Sequence, residues 1–303
     1  MNMDQEFDNI YQKIYDASYS RLAEVKDKNR KFLGIFCLCL IILNFIIYLI
    51  PQTKYLSVIT AGISLCVLVF FVVIGNQSYT RAYKKCVIEG LVKAYNPNNN
   101  YDPMIGIGEM EYRRANYDND FNEFTSEDRI YGRFETGDAF QLSEVTTTKV
   151  TVTRNEQGVE SESRLETFRG MFGVVYLEKN TMMNIGIYGD SAMRKYRRDR
   201  VEVDSSEFEK YYDLVTDDKI NAMRIFTADL LEKYIDIKRS NRNGVEVKIE
   251  WDRVYFRFRC GEIFEPPMFV KGLKREHLKT FYNQIYYPIE LLEKTVECLN
   301  EIQ

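Results

Sequence analysis

A run of basic residues in the second half of the chain carries the side chains best suited to bind an anionic partner. It contains Arg194, Lys195, Tyr196, Arg197, Arg198 and Arg200. Near a bilayer, each basic residue contributes about 1 kcal/mol of attraction to anionic lipid. Asp199, Glu202 and Asp204 lie beside the run, so a solvated loop of balanced charge is the alternative. We expect the run to bind membrane lipid or a protein partner. Because it is short and the net charge is −4, we expect no nucleic acid.

Asn44 is a second residue that needs a partner, because it lies inside an apolar run of 19 residues. A side-chain amide in hydrocarbon is stabilised by a hydrogen bond to a neighbouring helix. Ser57, Thr60 and Ser64 of the next apolar run could supply this bond within the chain. A second copy of the chain could supply it instead, so a homo-oligomer remains open.

The residues that usually carry catalysis or bind metals are sparse or wrongly spaced. His277 is the single histidine and stands among charged residues, as on a solvated helix face. The six cysteines form no CxxC pair, which fits a reducing compartment. The acidic loop 118–123 has Glu123 and Arg129 where a calcium loop needs glycine and a final acid. We therefore predict no metal, no cofactor and no catalytic residue.

Two apolar runs, 32–50 and 56–74, organise the first quarter of the chain. Each has 19 residues without a charge, close to the roughly 20 that cross a bilayer as a helix. Lys and Arg flank the pair on its outer ends, while the connecting turn carries only Lys54. Lys and Arg near span ends stay on the cytoplasmic side. The sequence therefore predicts a transmembrane hairpin over 32–75 in the inner (cytoplasmic) membrane, multi-pass, with both termini cytoplasmic.

The remaining segments predict a cytoplasmic α+β domain and a membrane-proximal helical stalk. Residues 1–31 form an amphipathic helix whose apolar stripe favours packing over lying on a membrane. Residues 76–100 form a helix that ends at Asn96-Pro97, followed by a linker. The α+β domain covers 101–273, with a mixed or antiparallel sheet and packed helices. The C-terminal helix, 274–303, has apolar residues near the heptad spacing of a coiled coil and could join the stalk as a third helix.

Within the α+β domain the periodicity predicts individual elements. Strands are expected at 130–140, 141–154, 159–166, 172–177 and 182–187, with a hairpin turn at 155–158. Ser206 with Glu209 has the spacing of a capping box for a helix over 206–212, and a second helix follows over 217–238. Strands 245–250 and 253–259 form a hairpin with Trp251 on its apolar face. Pro288 should kink or restart the last helix.

An ordered series of stretches resembles a known family. The series runs from the twin apolar runs through EDRIYGRFETGDAFQLSEV at 127–145, TFRGMFGVVYLEKN at 167–180, the acidic-to-helical segment 201–234 and RVYFRFRCGEIFEPP. In this order the chain resembles the bacterial DUF3137 family of membrane proteins, a family of unknown function. The resemblance implies a membrane hairpin with a cytoplasmic domain. It brings no active site, so no residue takes a role from it.

Together these patterns predict a non-enzymatic, membrane-anchored binding or scaffold module. Its partner would be a protein or the anionic inner leaflet. One alternative is a membrane-tethered enzyme that uses the carboxylates of Asp217, Asp218 and Glu144. Another is a component of an oligomeric pore or transporter, although the apolar runs hold few polar residues.

Overall fold

A computed structural model describes residues 3–49, 54–154, 160–189, 199–240, 244–266 and 273–302. The chain divides into two compact units. The first, here the helical unit, contains residues 1–90 and 265–278. The second, the sheet unit, contains residues 91–264 and 279–303.

Two long helices form most of the helical unit. Helix α1 spans Met3–Leu49 without a break, because no proline or glycine separates the amphipathic segment from the apolar run. Helix α2 spans Lys54–Tyr83 and continues through a π-helical turn, Lys84–Ile88, into α3, Glu89–Tyr95. Both long helices are long and apolar enough to cross a membrane. As predicted, α3 ends immediately before Asn96-Pro97.

Side-chain contacts join the parts of the helical unit. The Phe71 ring lies 5.4 Å from the Phe32 ring and 4.5 Å from the Phe36 ring, which brings α2 against α1. Near the start of α1, the Tyr11 hydroxyl donates to the backbone oxygen of Leu273 at 3.0 Å. The amphipathic stripe of α1 is therefore used for packing at this point.

The sheet unit contains nine strands among the described residues, and every strand pair is antiparallel. The strands are β1 Asn100–Asp102, β2 Glu123–Arg133, β3 Ala139–Arg154, β4 Glu160–Tyr176, β5 Asn184–Gly189, β6 Arg200–Val201, β7 Tyr212–Thr216, β8 Val245–Glu250 and β9 Arg253–Arg259. Their spatial order is β1-β2-β3-β4-β9-β8-β5-β7-β6. Strand β1 therefore forms one edge of the sheet, and β6 forms the other.

Helices cover both faces of this sheet. They are α4 Glu109–Arg114, α5 Ser206–Tyr211, α6 Lys219–Ile225, α7 Ala228–Ser240 and α8 Arg275–Asn300. On one face, Tyr112 of α4 packs its ring 4.9 Å from that of Phe172. On the other, the Tyr212 hydroxyl of β7 donates to the backbone oxygen of Tyr234 on α7 at 3.1 Å. The antiparallel sheet with packed helices agrees with the predicted α+β class.

Several strand boundaries were predicted wrongly. The expected strand 130–140 is interrupted, because the chain turns at Gly137, whose φ is +96°. Asp138 stabilises that turn by accepting hydrogen bonds from Thr136 Oγ1 at 2.6 Å and from the backbone N–H of Glu178 at 2.8 Å. The expected strands 159–166 and 172–177 are one strand, β4, that passes through Gly170. The predicted turn 155–158 lies outside the described residues.

Helix boundaries between 205 and 240 also differ from the prediction. The cap of α5 is Ser205, not Ser206, since its hydroxyl accepts from the backbone N–H of Phe208 at 3.3 Å. Residues 212–216 form strand β7, which the periodicity did not reveal. The predicted helix 217–238 is two helices, α6 and α7, and Ile220 of the expected apolar stripe is 70% exposed.

Two predictions near the C-terminus need correction. Trp251 lies in the β8–β9 turn with φ at +57° and a 56% exposed side chain, so it is not on the apolar face of the hairpin. Helix α8 does not restart at Pro288, which lies inside it, and the alternative of a kink at this proline stays a prediction.

Candidate functional site

An open cleft of about 820 Å³ lies beside strands β1 to β4 of the sheet unit. The residues that line it are Asn96, Asn98, Asn100, Arg129, Tyr131, Gly132, Arg133, Phe134, Glu135, Ala139, Phe140, Gln141 and Tyr176. Two arginines stand against one glutamate, so the lining carries a net positive charge. Amide and phenol groups supply further hydrogen-bond donors.

Strand β2 positions the two arginines. Arg129, Tyr131 and Arg133 alternate along β2, so their side chains share one face of the sheet. At 3.2–3.4 Å per residue, the two arginines stand about 13 Å apart along the strand. Asn100 of β1 pairs with Tyr131 on one side, and Gln141 of β3 pairs with it on the other. The cleft residues thus come together through strand pairing rather than through one sequence motif.

A β-bulge directs Arg129 into this row. The β2–β3 register shifts between Glu127 and Ile130, and Asp128 adopts φ +58°. The Tyr101 hydroxyl of β1 donates to the Asp128 carboxylate, which holds the bulge. The backbone N–H of Arg129 donates to the oxygen of Ile105 at 3.1 Å. Bulges of this kind re-aim a side chain and are frequent next to binding sites.

Neither cleft arginine forms an ion pair with a carboxylate in the described part of the chain. The Arg129 guanidinium lies 5.0 Å from the centre of the Tyr131 ring, and its Nε atom is buried without a hydrogen-bond partner there. Among the described residues, Arg133 donates only to the backbone oxygen of Gly137, at 2.8 Å. Both guanidinium groups therefore keep donors available for an anionic ligand.

The far wall of the cleft is braced. Gln141 donates a hydrogen bond to the Tyr176 hydroxyl, and the Arg253 guanidinium lies 4.5 Å from the centre of the Tyr176 ring. The pKa of Tyr176 is raised, chiefly by burial and then by the nearby Glu111 carboxylate. Tyr176 thus stays protonated at neutral pH and adds no negative charge that would repel an anion.

The neighbouring part of the same sheet face contains cations that are paired. Arg257 Nε donates to Glu246 Oε2 at 2.8 Å. Buried Lys248 donates to the backbone oxygen of Ala115 at 2.8 Å and to Glu250 Oε1 at 3.3 Å. These cations hold α4 and its flanking loop on the sheet. Each of them has a carboxylate partner, unlike the arginines of the cleft within the described part of the chain.

The predicted basic run is only partly described. Arg194, Lys195, Tyr196, Arg197 and Arg198 lie outside the described residues. Arg200 lies in β6, with its Nε 3.0 Å from Asp213 Oδ1 and its Nη2 3.8 Å from Glu209 Oε2. Arg200 is therefore engaged by acids of its own sheet unit.

Asn44 bonds across the helical hairpin. Its Nδ2 donates to Ser64 Oγ at 3.0 Å and to the backbone oxygen of Leu40 at 2.9 Å. Its Oδ1 accepts from Thr60 Oγ1 at 2.8 Å. The sequence left open a hydrogen bond within the chain or one to a second copy, and the structure has the bond within the chain.

The carboxylates of the enzymatic alternative do not share a site. Glu144 of β3 accepts a hydrogen bond from the backbone N–H of Ile263 at 3.0 Å. Asp218 follows β7 and caps α6, accepting from the backbone N–H of Asn221 at 3.1 Å. Strands β3 and β7 are five strand spacings apart in the sheet, a distance of about 24 Å. Each of these two carboxylates therefore accepts a hydrogen bond from a backbone N–H group in its own surroundings.

The sequence did not predict the cleft, although one pattern that indicates it was present. The alternation Arg129-x-Tyr131-x-Arg133 places two cations and an aromatic ring on one face of a strand. The expected strand began at 130, so Arg129 was not assigned to it. The contributions of Asn100, Gln141 and Tyr176 depend on pairing between strands and leave no pattern along the chain.

Comparison with known families gives one match. Residues 166–295 match the model of a family described as "Protein of unknown function (DUF3137)", which confirms the resemblance over that segment. The segment contains β5 to β9 and most of β4 and α8. Of the cleft residues, it includes only Tyr176. Neither the curated proteins nor the solved structures gave a match.

Proposed function

We propose that this chain, which carries the DUF3137 segment, is a non-enzymatic binding module anchored in a membrane. Its helical hairpin spans the inner membrane with both termini in the cytoplasm. The cleft of the sheet unit binds an acidic segment of a protein partner. The observation that carries the proposal is the pair of cleft arginines without carboxylate partners in the described part of the chain.

Membrane anchoring is supported by the two long apolar helices and by their flanking charges. Lys26, Lys28, Arg30 and Lys31 precede the first apolar run, and Arg81 follows the second. This distribution supports a cytoplasmic position for both flanks. The basic run at 194–198 would add a contact with the anionic leaflet.

The spacing of the cleft arginines defines the ligand. A guanidinium binds a carboxylate through two parallel hydrogen bonds. Two such sites about 13 Å apart match carboxylates four residues apart in an extended peptide, which also rises by 3.2–3.4 Å per residue. The cleft is therefore proposed to bind a Glu-x-x-x-Glu segment in extended conformation, with the amide side chains at 96–100 along its path.

Fluorescence anisotropy on the full chain in non-ionic detergent tests this. A labelled Glu-Ser-Gly-Ser-Glu peptide should bind, and its Gln-Ser-Gly-Ser-Gln counterpart should bind at least about tenfold more weakly, since a hydrogen bond to a charged group contributes about 1.5–3 kcal/mol. Arg129→Ser and Arg133→Ser should each weaken binding of the acidic peptide by a similar factor. Raising the salt concentration should weaken it further.

Arg164→Ser is the matched control. Arg164 is exposed and lies outside the cleft, where it pairs with Glu162 at 2.8 Å. Its loss removes the same charge from the protein and should leave peptide affinity unchanged. Equal binding of the two peptides, or an equal loss in the Arg164 variant, would overturn the proposal.

A further inference from the structure

The β3–β4 hairpin extends beyond the rest of the sheet. Strand β2 pairs with β3 only as far as Thr148, and β9 pairs with β4 only from Gly170 onward. Beyond these limits β3 and β4 have only each other as partners within the described ranges, from Lys149 opposite Leu165 to Arg154 opposite Glu160. We call residues 149–154 and 160–165 the β-arm. Its six residue pairs make it about 20 Å long.

The β-arm is open to solvent on both faces. All residues at 151–154 and 160–166 are exposed. They include two apolar side chains, Val152 at 59% and Leu165 at 62% exposure. A two-stranded ribbon with no covering layer is marginally stable alone. Pairing with an additional strand would therefore stabilise the β-arm.

The two edges of the β-arm differ. On the β3 edge, the Asn122 side chain donates to the oxygen of Val150 and accepts from its N–H, both at 2.8 Å, which ends the β2 pairing. On the β4 edge, Arg259 Nη2 donates to the backbone oxygen of Thr167 at 2.8 Å. No strand among the described residues pairs with the outer edge of β4 from 160 to 166. This edge can accept another strand.

The sequence of the open edge is complementary to itself. It reads Glu-Ser-Glu-Ser-Arg-Leu-Glu over 160–166. When two copies pair antiparallel about a twofold axis at Ser163, Glu162 of each copy faces Arg164 of the other. The like-charged Glu160 and Glu166 then meet only at the ends, where solvent screens them. An axis at Glu162 would instead place this carboxylate opposite itself.

We propose that the β4 edge of the β-arm joins two copies of the chain in an antiparallel, twofold-symmetric pairing centred on Ser163. The occupant of the edge is thus a second copy, and the selecting feature is the reciprocal pair of Glu162 and Arg164. Opposite charges directly across a strand pair are favourable, and like charges there are unfavourable. The pairing would also place Leu165 across from Ser161 of the second copy and reduce its exposure. It does not rest on the cleft, whose residues lie apart from the β-arm.

Cysteine cross-linking of the full chain tests the register. At the twofold axis the two Cα atoms of residue 163 would lie about 4.5–5.5 Å apart, within the range of a disulfide. Ser163→Cys should therefore give a disulfide-linked dimer on mild oxidation, in membranes and in detergent. The control is Ser161→Cys, whose Cα atoms would lie about 13 Å or more apart, too far for a bridge. Both variants keep the six native cysteines, so their background is the same.

Charge reversal in the Ser163→Cys background tests the selecting pair. Glu162→Arg places arginines against each other and should lower the disulfide yield at least about fivefold. Adding Arg164→Glu restores opposite charges in both copies and should return the yield to within about twofold of the starting value. Circular dichroism should be unchanged throughout, because these side chains are exposed.

Two outcomes would overturn the proposal. One is a folded Ser163→Cys protein that gives no more dimer than Ser161→Cys. The other is a charge-reversed pair of substitutions that fails to recover the yield lost by Glu162→Arg alone. The first would remove the pairing itself, and the second would remove its selection by charge.

Discussion

Two neighbouring regions of one sheet face hold the same side-chain types in different electrostatic surroundings. Around β8, β9 and α4, Lys248 is buried and Arg257 is largely buried, and each contacts a carboxylate. In the cleft at β1 to β4, Arg133 is exposed and Arg129 is half-buried, and neither bonds a carboxylate among the described residues. A cation that serves the fold pairs with a carboxylate of its own chain, because an unpaired buried charge is costly. A cation that serves a ligand keeps free donors.

The largest effect is expected where a buried pair is broken. Glu246→Ala would leave the Arg257 guanidinium without its carboxylate and should lower the free energy of unfolding by about 3 kcal/mol. Urea titration of the full chain in detergent, followed by the fluorescence of Trp251, measures this, since Trp251 is the only tryptophan. Glu207→Ala removes the carboxylate of an exposed pair with Arg239 and should cost below about 1 kcal/mol. Equal losses of unfolding free energy in the two variants would contradict the expected difference between the Glu246–Arg257 pair and the exposed Glu207–Arg239 pair.

Loss of a helix-capping hydrogen bond should lower the free energy of unfolding by less than loss of the Glu246 carboxylate does. Ser205→Ala removes the hydroxyl that accepts from the backbone N–H of Phe208. The loss in unfolding free energy should be about 1 kcal/mol. Ser206→Ala, one residue later, should change it little, since Ser206 is the first residue of α5 and not its cap. A larger loss for Ser206→Ala than for Ser205→Ala in the same urea titration would show that Ser206 is the cap.

A half-buried acid gives a pH-dependent effect. Burial raises the pKa of Glu293, and the neighbouring Glu297 raises it further. The folded state therefore holds this proton at higher pH than the unfolded chain, whose glutamate pKa is about 4.3. The contribution of the group to stability is fully present below that value and is lost as pH rises through the folded pKa.

Glu293→Gln removes this loss while it keeps an acceptor for the Tyr95 hydroxyl, which donates to Glu293 Oε2 at 3.2 Å. The variant should melt at a higher temperature than the native chain at pH 7, with the difference vanishing near pH 4. Thermal melts at several pH values measure it. A variant that melts lower at pH 7 would contradict the sign.

The smallest effect on stability is expected in the cleft. Arg129→Ser and Arg133→Ser should each change the unfolding free energy by less than about 0.5 kcal/mol, because neither breaks an ion pair with a described carboxylate. The same urea titration serves here, and the peptide measurement shows the functional loss. A loss above about 1 kcal/mol would assign these arginines to the fold rather than to a ligand.

The sequence predicted well those features that depend on local pattern. The charge-free runs predicted the two long helices, and Asn96-Pro97 predicted where α3 ends. The alternation at 245–259 predicted the β8–β9 hairpin, including both strand ranges. Local rules failed where neighbours in space decide. Gly137 turns the chain inside an apparent strand, and β7 becomes a strand because β5 and β6 pair with it.

By itself, then, the sequence determined the long helices, the β8–β9 hairpin and the segments apolar enough for a membrane, since period and composition act within a few residues. Only the tertiary structure decided which side chains meet. The cleft requires a bulge at Asp128 and the pairing of β2 with both β1 and β3. The open edge of the β-arm exists because β9 pairs with β4 only from Gly170 onward. Strand partners and their register follow from long-range contacts, which no pattern along the chain specifies.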